Sequence, residues 1–148
     1  MGLFSAINAT RSGLAAQRVR MDVVASNVAN IDTTRTPDGE GPYTRKIVRF
    51  QSADDGSAFQ SAMSRVTGQP RSGVVLARVD EDSASEGRSV YDPSHPDADI
   101  DGFVEMPNVE LVREMTDLVG ANRSYQANST VLNALKQMAL RALDIGSC

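Results

Sequence analysis

A chain of 148 residues that is 41% apolar, with no Trp and few aromatics, can build one domain but only a thin core. Its 19 carboxylates against 15 Lys and Arg leave a net charge of −4, which works against nucleic acid, whose phosphates call for a basic face. The lone Cys148 closes no internal disulfide, and no run of about 18 apolar residues is present to span a membrane.

The opening residues, MGLFSAINATRSGLAAQ, lack the basic stretch followed by an apolar one that a Sec-type signal peptide needs. Ala6 stands where a myristoylation motif carries Ser or Thr. Leu3, Ile7, Leu14, Met21, Val24, Val28 and Ile31 recur at spacings of three, four or seven. This periodicity predicts a helix from about Phe4 to Ile31, roughly 40 Å long. Within it, Ile7, Leu14, Met21 and Val28 form a seven-residue series, and Gly13 weakens the helix by up to about 1 kcal/mol.

Pro37, Gly39, Gly41 and Pro42 then mark turns. Tyr43 to Gln51 reads as extended, SADDGSAFQSAMS as a polar loop, and the Val-rich Gly73 to Asp82 as a strand. Ile47, Val75, Leu76 and Val79 are expected to hold this β-rich middle together. YDPSHPDADIDG, rich in Pro and Asp, reads as an irregular return.

A second helix is expected after Pro107, with Asn108 as its N-cap and Glu110 at the positive end of its dipole. Leu111, Leu118, Tyr125 and Leu132 lie seven apart, with Met115 and Leu143 beside them. A second stripe runs through Asn128, Val131, Leu135, Met138, Ala142 and Ile145, so this helix should be contacted on more than one side. Gly146 is its expected stop. The expected fold is mainly α with a small β insert. Residues 1–34 and 107–148 form the helical part, an antiparallel coiled-coil-like pair, and residues 35–106 form the insert.

Chemistry is sparse. His95 beside Ser94 in a Pro-rich segment offers no oriented base for a nucleophile. Asp97, Asp99, Asp101 and Gly102 match the start of an EF-hand loop, but Asn108 replaces the Glu that completes the calcium shell. A carboxylate-rich turn is the plainer reading, and a calcium-binding regulatory module at Asp97–Asp101 is the alternative. No Cys/His cluster, phosphate loop or dinucleotide motif occurs, so neither an enzyme, a cofactor nor a resident metal is expected.

Two segments carry a resemblance. Ser26, Asn27, Ala29 and Asn30 form an SN-AN helix end, and Arg123, Tyr125, Gln126, Ala127 and Asn128 form an R-YQAN helix segment. Together with HPDADIDGFVEMPNV, they make the chain similar to the bacterial flagellar rod and hook axial family over about two thirds of its length, whereas Gln51 to Arg71 matches nothing in it. The TTRTPDGEGPY segment resembles the proximal rod branch more than other axial subunits. The resemblance implies a structural rod subunit that leaves the cell through flagellar type III export without a cleaved signal. It would work in the periplasmic basal body, packing against copies of itself, other rod proteins and the adaptor at the export gate. Small-molecule substrates are not implied. Ile7, Leu14, Met21, Val28, Ile31, Leu111, Met115, Leu118, Tyr125, Leu132 and Leu135 are the expected packing residues. The Asn and Gln side chains would then fix helix register, as a buried Asn does in a coiled coil, with capping or solvent exposure of the same residues as the alternative.

Overall fold

The computed structural model describes residues 3–37, 41–53 and 73–146. Helix α1 spans Leu3–Ala29, and strands β1 (Lys46–Ser52), β2 (Val74–Glu81), β3 (Arg88–Tyr91) and β4 (Phe103–Met106) follow. Helix α2, Leu111–Gly146, closes the chain. Gly39 and most of the polar loop after Ser52 lie outside the described residues, as does Cys148.

Helix α1 stops two residues short of the expected Ile31. Its last turn tightens, because Ile31 N–H donates to the Val28 carbonyl and Thr33 N–H to the Asn30 carbonyl. Such three-residue bonds end an α-ladder. The Asn30 side chain reinforces the stop by donating to the Ser26 carbonyl at 2.8 Å.

Helix α2 begins at Leu111, later than the expected start. Glu110 is its cap in practice, since the Glu110 carbonyl accepts the Glu114 N–H at 3.0 Å. Asn108 is not the N-cap; its side chain is drawn off toward the strands. Gly146 is the last helical residue rather than the stop beyond it.

The two predicted strands pair antiparallel as β1 and β2, from Lys46↔Glu81 to Ser52↔Val74. The register slips between Arg49 and Phe50, which leaves Ala77 without an opposite residue, a β-bulge. The return is more ordered than its composition suggested. Strands β3 and β4 form a second antiparallel hairpin, Arg88↔Met106 to Tyr91↔Phe103, and the Pro- and Asp-rich residues between them are its turns. Val104 anchors this hairpin from a buried position.

Both helices and the first hairpin share one thin core. Asn27 touches Glu114, and a side chain added at Gly13 would meet Asn128, so α1 and α2 lie alongside in opposite directions over this stretch. Ala16, Val24 and Asn27 are buried on α1, and Glu114 and Ala121 on α2. The expected α1 residues Ile7, Leu14, Met21, Val28 and Ile31 are all half-buried.

On α2 one side of the helix is turned to α1. It runs through Glu114, Ala121, Asn128 and Leu135, with Leu132 between. Leu111, Met115, Leu118 and Tyr125 remain exposed in the single chain. Small residues explain the choice: Gly13, Ala16 and Ala121 let the helices approach closely, whereas the larger stripe flanks the seam. The expected β core is corrected as well. Ile47 is half-buried, but Val75, Leu76 and Val79 are exposed, because a single two-stranded layer covers only one face of each strand.

Candidate assembly site at the helix junction

A polar knot joins the end of α1, the start of β1, the end of β2 and the start of α2. Asn27, fully buried on the last turns of α1, is at its centre. Its Oδ1 accepts the Tyr43 hydroxyl at 3.0 Å and the Lys46 N–H at 2.9 Å. Its Nδ2 donates to the Lys46 carbonyl at 2.9 Å and to Glu114 Oε2 at 3.1 Å. Every hydrogen-bonding position of the amide is thereby used.

The second oxygen of Glu114 accepts Arg45 Nε at 2.6 Å, and both side chains are withdrawn from water. Asp82 and Asp117 flank the same guanidinium at 3.7 and 3.6 Å. A charge pair so placed holds its geometry because each partner's remaining polar groups are also bonded. Asn108 locks the outer edge. Its Oδ1 accepts the Arg45 N–H at 2.7 Å, and its Nδ2 donates to the carbonyls of Asp82 and Ser85. The Asp82 N–H donates back to the Arg45 carbonyl at 2.8 Å.

Of the motif residues, Asn27 alone enters this knot, while Ser26 and Asn30 bond to each other at the end of α1. Ala29 is exposed, as are Arg123, Tyr125, Gln126 and Ala127 on α2. Gln126 donates to Asn122 one turn away. Asn128 lies against Gly13, so the two motifs occupy different levels of the helix pair. Sequence reasoning missed Tyr43, Arg45 and Glu114. The one available signal was Glu114 itself, a carboxylate at a position of the heptad that continues through Ala121, Asn128 and Leu135.

The acidic turn is committed to the protein. Asp97 accepts Thr34 Oγ1 at 2.8 Å and pairs with Arg35 at 2.6 Å, tying the return segment to the chain that follows α1. Asp99 accepts the N–H groups of Asp101 and Phe103 in a side-chain-closed turn. Ser94 donates to Asp92 through its hydroxyl and its N–H, which holds that carboxyl below its ordinary range. His95 Nδ1 accepts the Asp97 N–H. Among the described residues, no group of three or more His, Cys, Asp or Glu is placed to hold a metal ion.

Comparison with known proteins settles the family. Residues 7–35 match the family described as flagella basal body rod protein, and residues 100–145 match the flagellar basal body rod FlgEFG protein C-terminal family. The chain is 47% identical to the flagellar basal-body rod protein FlgC of Bacillus subtilis, over 99% of both chains. It is 45% identical to FlgC of Borreliella burgdorferi over 98% of both, and 43% identical to FlgC of Salmonella typhimurium over 99% of both. The chain belongs to the FlgC family of flagellar basal-body rod proteins. As a FlgC-family member it is a structural subunit of the rod, and the relatives it matches are rod proteins rather than enzymes. Among the described residues, no helix is long and apolar enough to cross a membrane. The two matched segments contain the two motifs, and the second also contains Glu114 and Asn108.

Proposed function

We propose that this rod protein serves in the proximal rod, where α1 and α2 coil together and pack against neighbouring copies and other rod proteins. In that arrangement the helices line a hollow shaft through which later subunits are exported, and the polar knot is the rigid corner that carries torque from helices to insert. Residues 1–34 and 107–148 form the inner part and residues 35–106 the outer. The chain reaches the periplasm through flagellar type III export and meets the export-gate adaptor at the rod base. Its work is mechanical and calls on no cofactor.

One observation carries this reading. Helix α2 extends over 36 residues, yet only its Glu114–Leu135 seam faces α1, which leaves Leu111, Met115, Leu118, Val131 and Met138 exposed in a single chain. An apolar surface of this length is covered by association. The role is tested by deleting the gene and restoring it in trans. Deletion is expected to arrest the basal body before a rod forms and to abolish swimming, with both recovered on complementation. Swimming without the chain would overturn the reading.

A further inference from the structure

The β3–β4 hairpin ends in an apolar tip that the helix packing does not explain. Asp99 to Gly102 make a tight turn, closed by the Gly102 N–H donating to the Asp99 carbonyl at 3.1 Å, and Gly102 takes φ +83°. Ile100 stands at the crest of this turn with 105% relative exposure. Tyr91 and Phe103 meet edge to face below it, 5.3 Å between centroids, and both are exposed. Asp92, Asp99, Asp101 and Glu105 lie on this hairpin around the tip, and among the described residues none of them forms an ion pair with a Lys or Arg. Isoleucine at the crest of a water-facing turn is out of keeping with ordinary turn chemistry.

A complementary surface occurs on the same chain. At about 100° per residue, Val112, Thr116, Val119 and Arg123 lie on the side of α2 opposite to Glu114 and Ala121. Val112 and Val119 are exposed, Arg113 and Arg123 are unpaired among the described residues, and no carboxylate falls on this side between Val112 and Ala127. Gly120 borders it, and a side chain there would meet nothing within 4 Å in its own chain. A glycine inside a helix costs up to about 1 kcal/mol against alanine, and no close contact among the described residues calls for it here.

We propose that the Ile100 tip of one subunit docks on the Val112–Val119–Arg123 face of α2 in a second copy of this chain. The apolar knob meets an apolar strip, its carboxylate rim meets Arg113 and Arg123, and Gly120 admits close approach. The two patches differ, so the contact is head-to-tail and propagates from copy to copy, as a helical or ring-shaped assembly requires. The pairing rests on the rod reading above.

Disulfide trapping in assembled basal bodies tests it. Ile100→Cys and Val119→Cys are combined in one chain carrying Cys148→Ser, and cells expressing it are treated with a mild oxidant. The expected result is a ladder of dimers, trimers and higher oligomers of the chain, absent when either cysteine is present alone. Dimers from Ile100→Cys alone, or links to a different rod protein, would overturn the pairing. So would motile cells whose basal bodies contain the chain unlinked, and that outcome leaves the rod reading intact. Basal bodies without the chain would overturn both.

Discussion

Asn27→Asp replaces one polar side chain by another of the same shape, so it opens no cavity and isolates the chemistry of the knot. The Oδ1 bonds to Tyr43 and Lys46 N–H survive the change. The two donated bonds do not. A carboxylate oxygen would then face the Lys46 carbonyl at 2.9 Å and Glu114 Oε2 at 3.1 Å, in a site without water access. Leaving a buried polar group unsatisfied costs about 1–3 kcal/mol, so two such faces give about 2–6 kcal/mol in all. Against a total stability of roughly 5–15 kcal/mol this is a large fraction. With a denaturation slope of about 2 kcal/mol/M, the urea midpoint should fall by about 1–3 M at an unchanged slope. Adding Glu114→Gln restores a donor opposite the new carboxylate and should recover roughly half of the loss, because only the Glu114 side is repaired. Urea melts followed by circular dichroism measure all three chains. A loss below about 1 kcal/mol for the single variant would show that the knot does not hold the junction.

Three further outcomes are expected. Leu118→Asp and Leu132→Asp should each abolish swimming while the protein is still secreted, since a charge would be buried unpaired, at Leu118 once neighbours pack on α2 and at Leu132 against α1; swimming assays and secretion blots decide this. Gly102→Ala should lower stability by about 1–3 kcal/mol, because it forces a side chain into φ +83° with its Cβ 3.0 Å from Tyr91, and thermal melts against the unaltered chain will show it. Hydrogen exchange on the dilute monomer should be slow around Val24–Asn27, Tyr43–Val48 and Glu114–Ala121, and fast beyond about Leu135, where α2 is largely exposed; even protection along the whole of α2 would contradict it.

The periodic features were legible in the sequence and the long-range polar ones were not. Apolar spacing located both helices and the two long strands, because period and β-branched content act locally. The start of α2 was misplaced because a polar side chain has a long-range use. Asn108 has the residue type of an N-cap, but its side chain is better used bridging Arg45, Asp82 and Ser85, and that bridge exists only once the strands are in place. Asn27 stood out through its motif, yet its partners Tyr43, Lys46 and Glu114 are 16, 19 and 87 residues away, beyond the reach of any local pattern. The sequence left open which side of α2 meets α1, and the Leu111–Leu118–Tyr125 series is the more apolar of two neighbouring heptad positions. Helix α1 instead takes the smaller and more polar Glu114–Ala121–Asn128 side, which allows closer approach and leaves the larger residues for association.

An electron cryo-microscopy map of the intact basal body tests the central claim most directly. The account predicts density for this chain within the proximal rod, with both helices in the inner wall along the axis, the Arg45–Glu114 knot at the bend toward the outer part, and the Leu111–Leu118–Tyr125 side of α2 covered by neighbouring subunits. A complete rod containing none of this chain, or one in which that side of α2 faces open solvent, would contradict it.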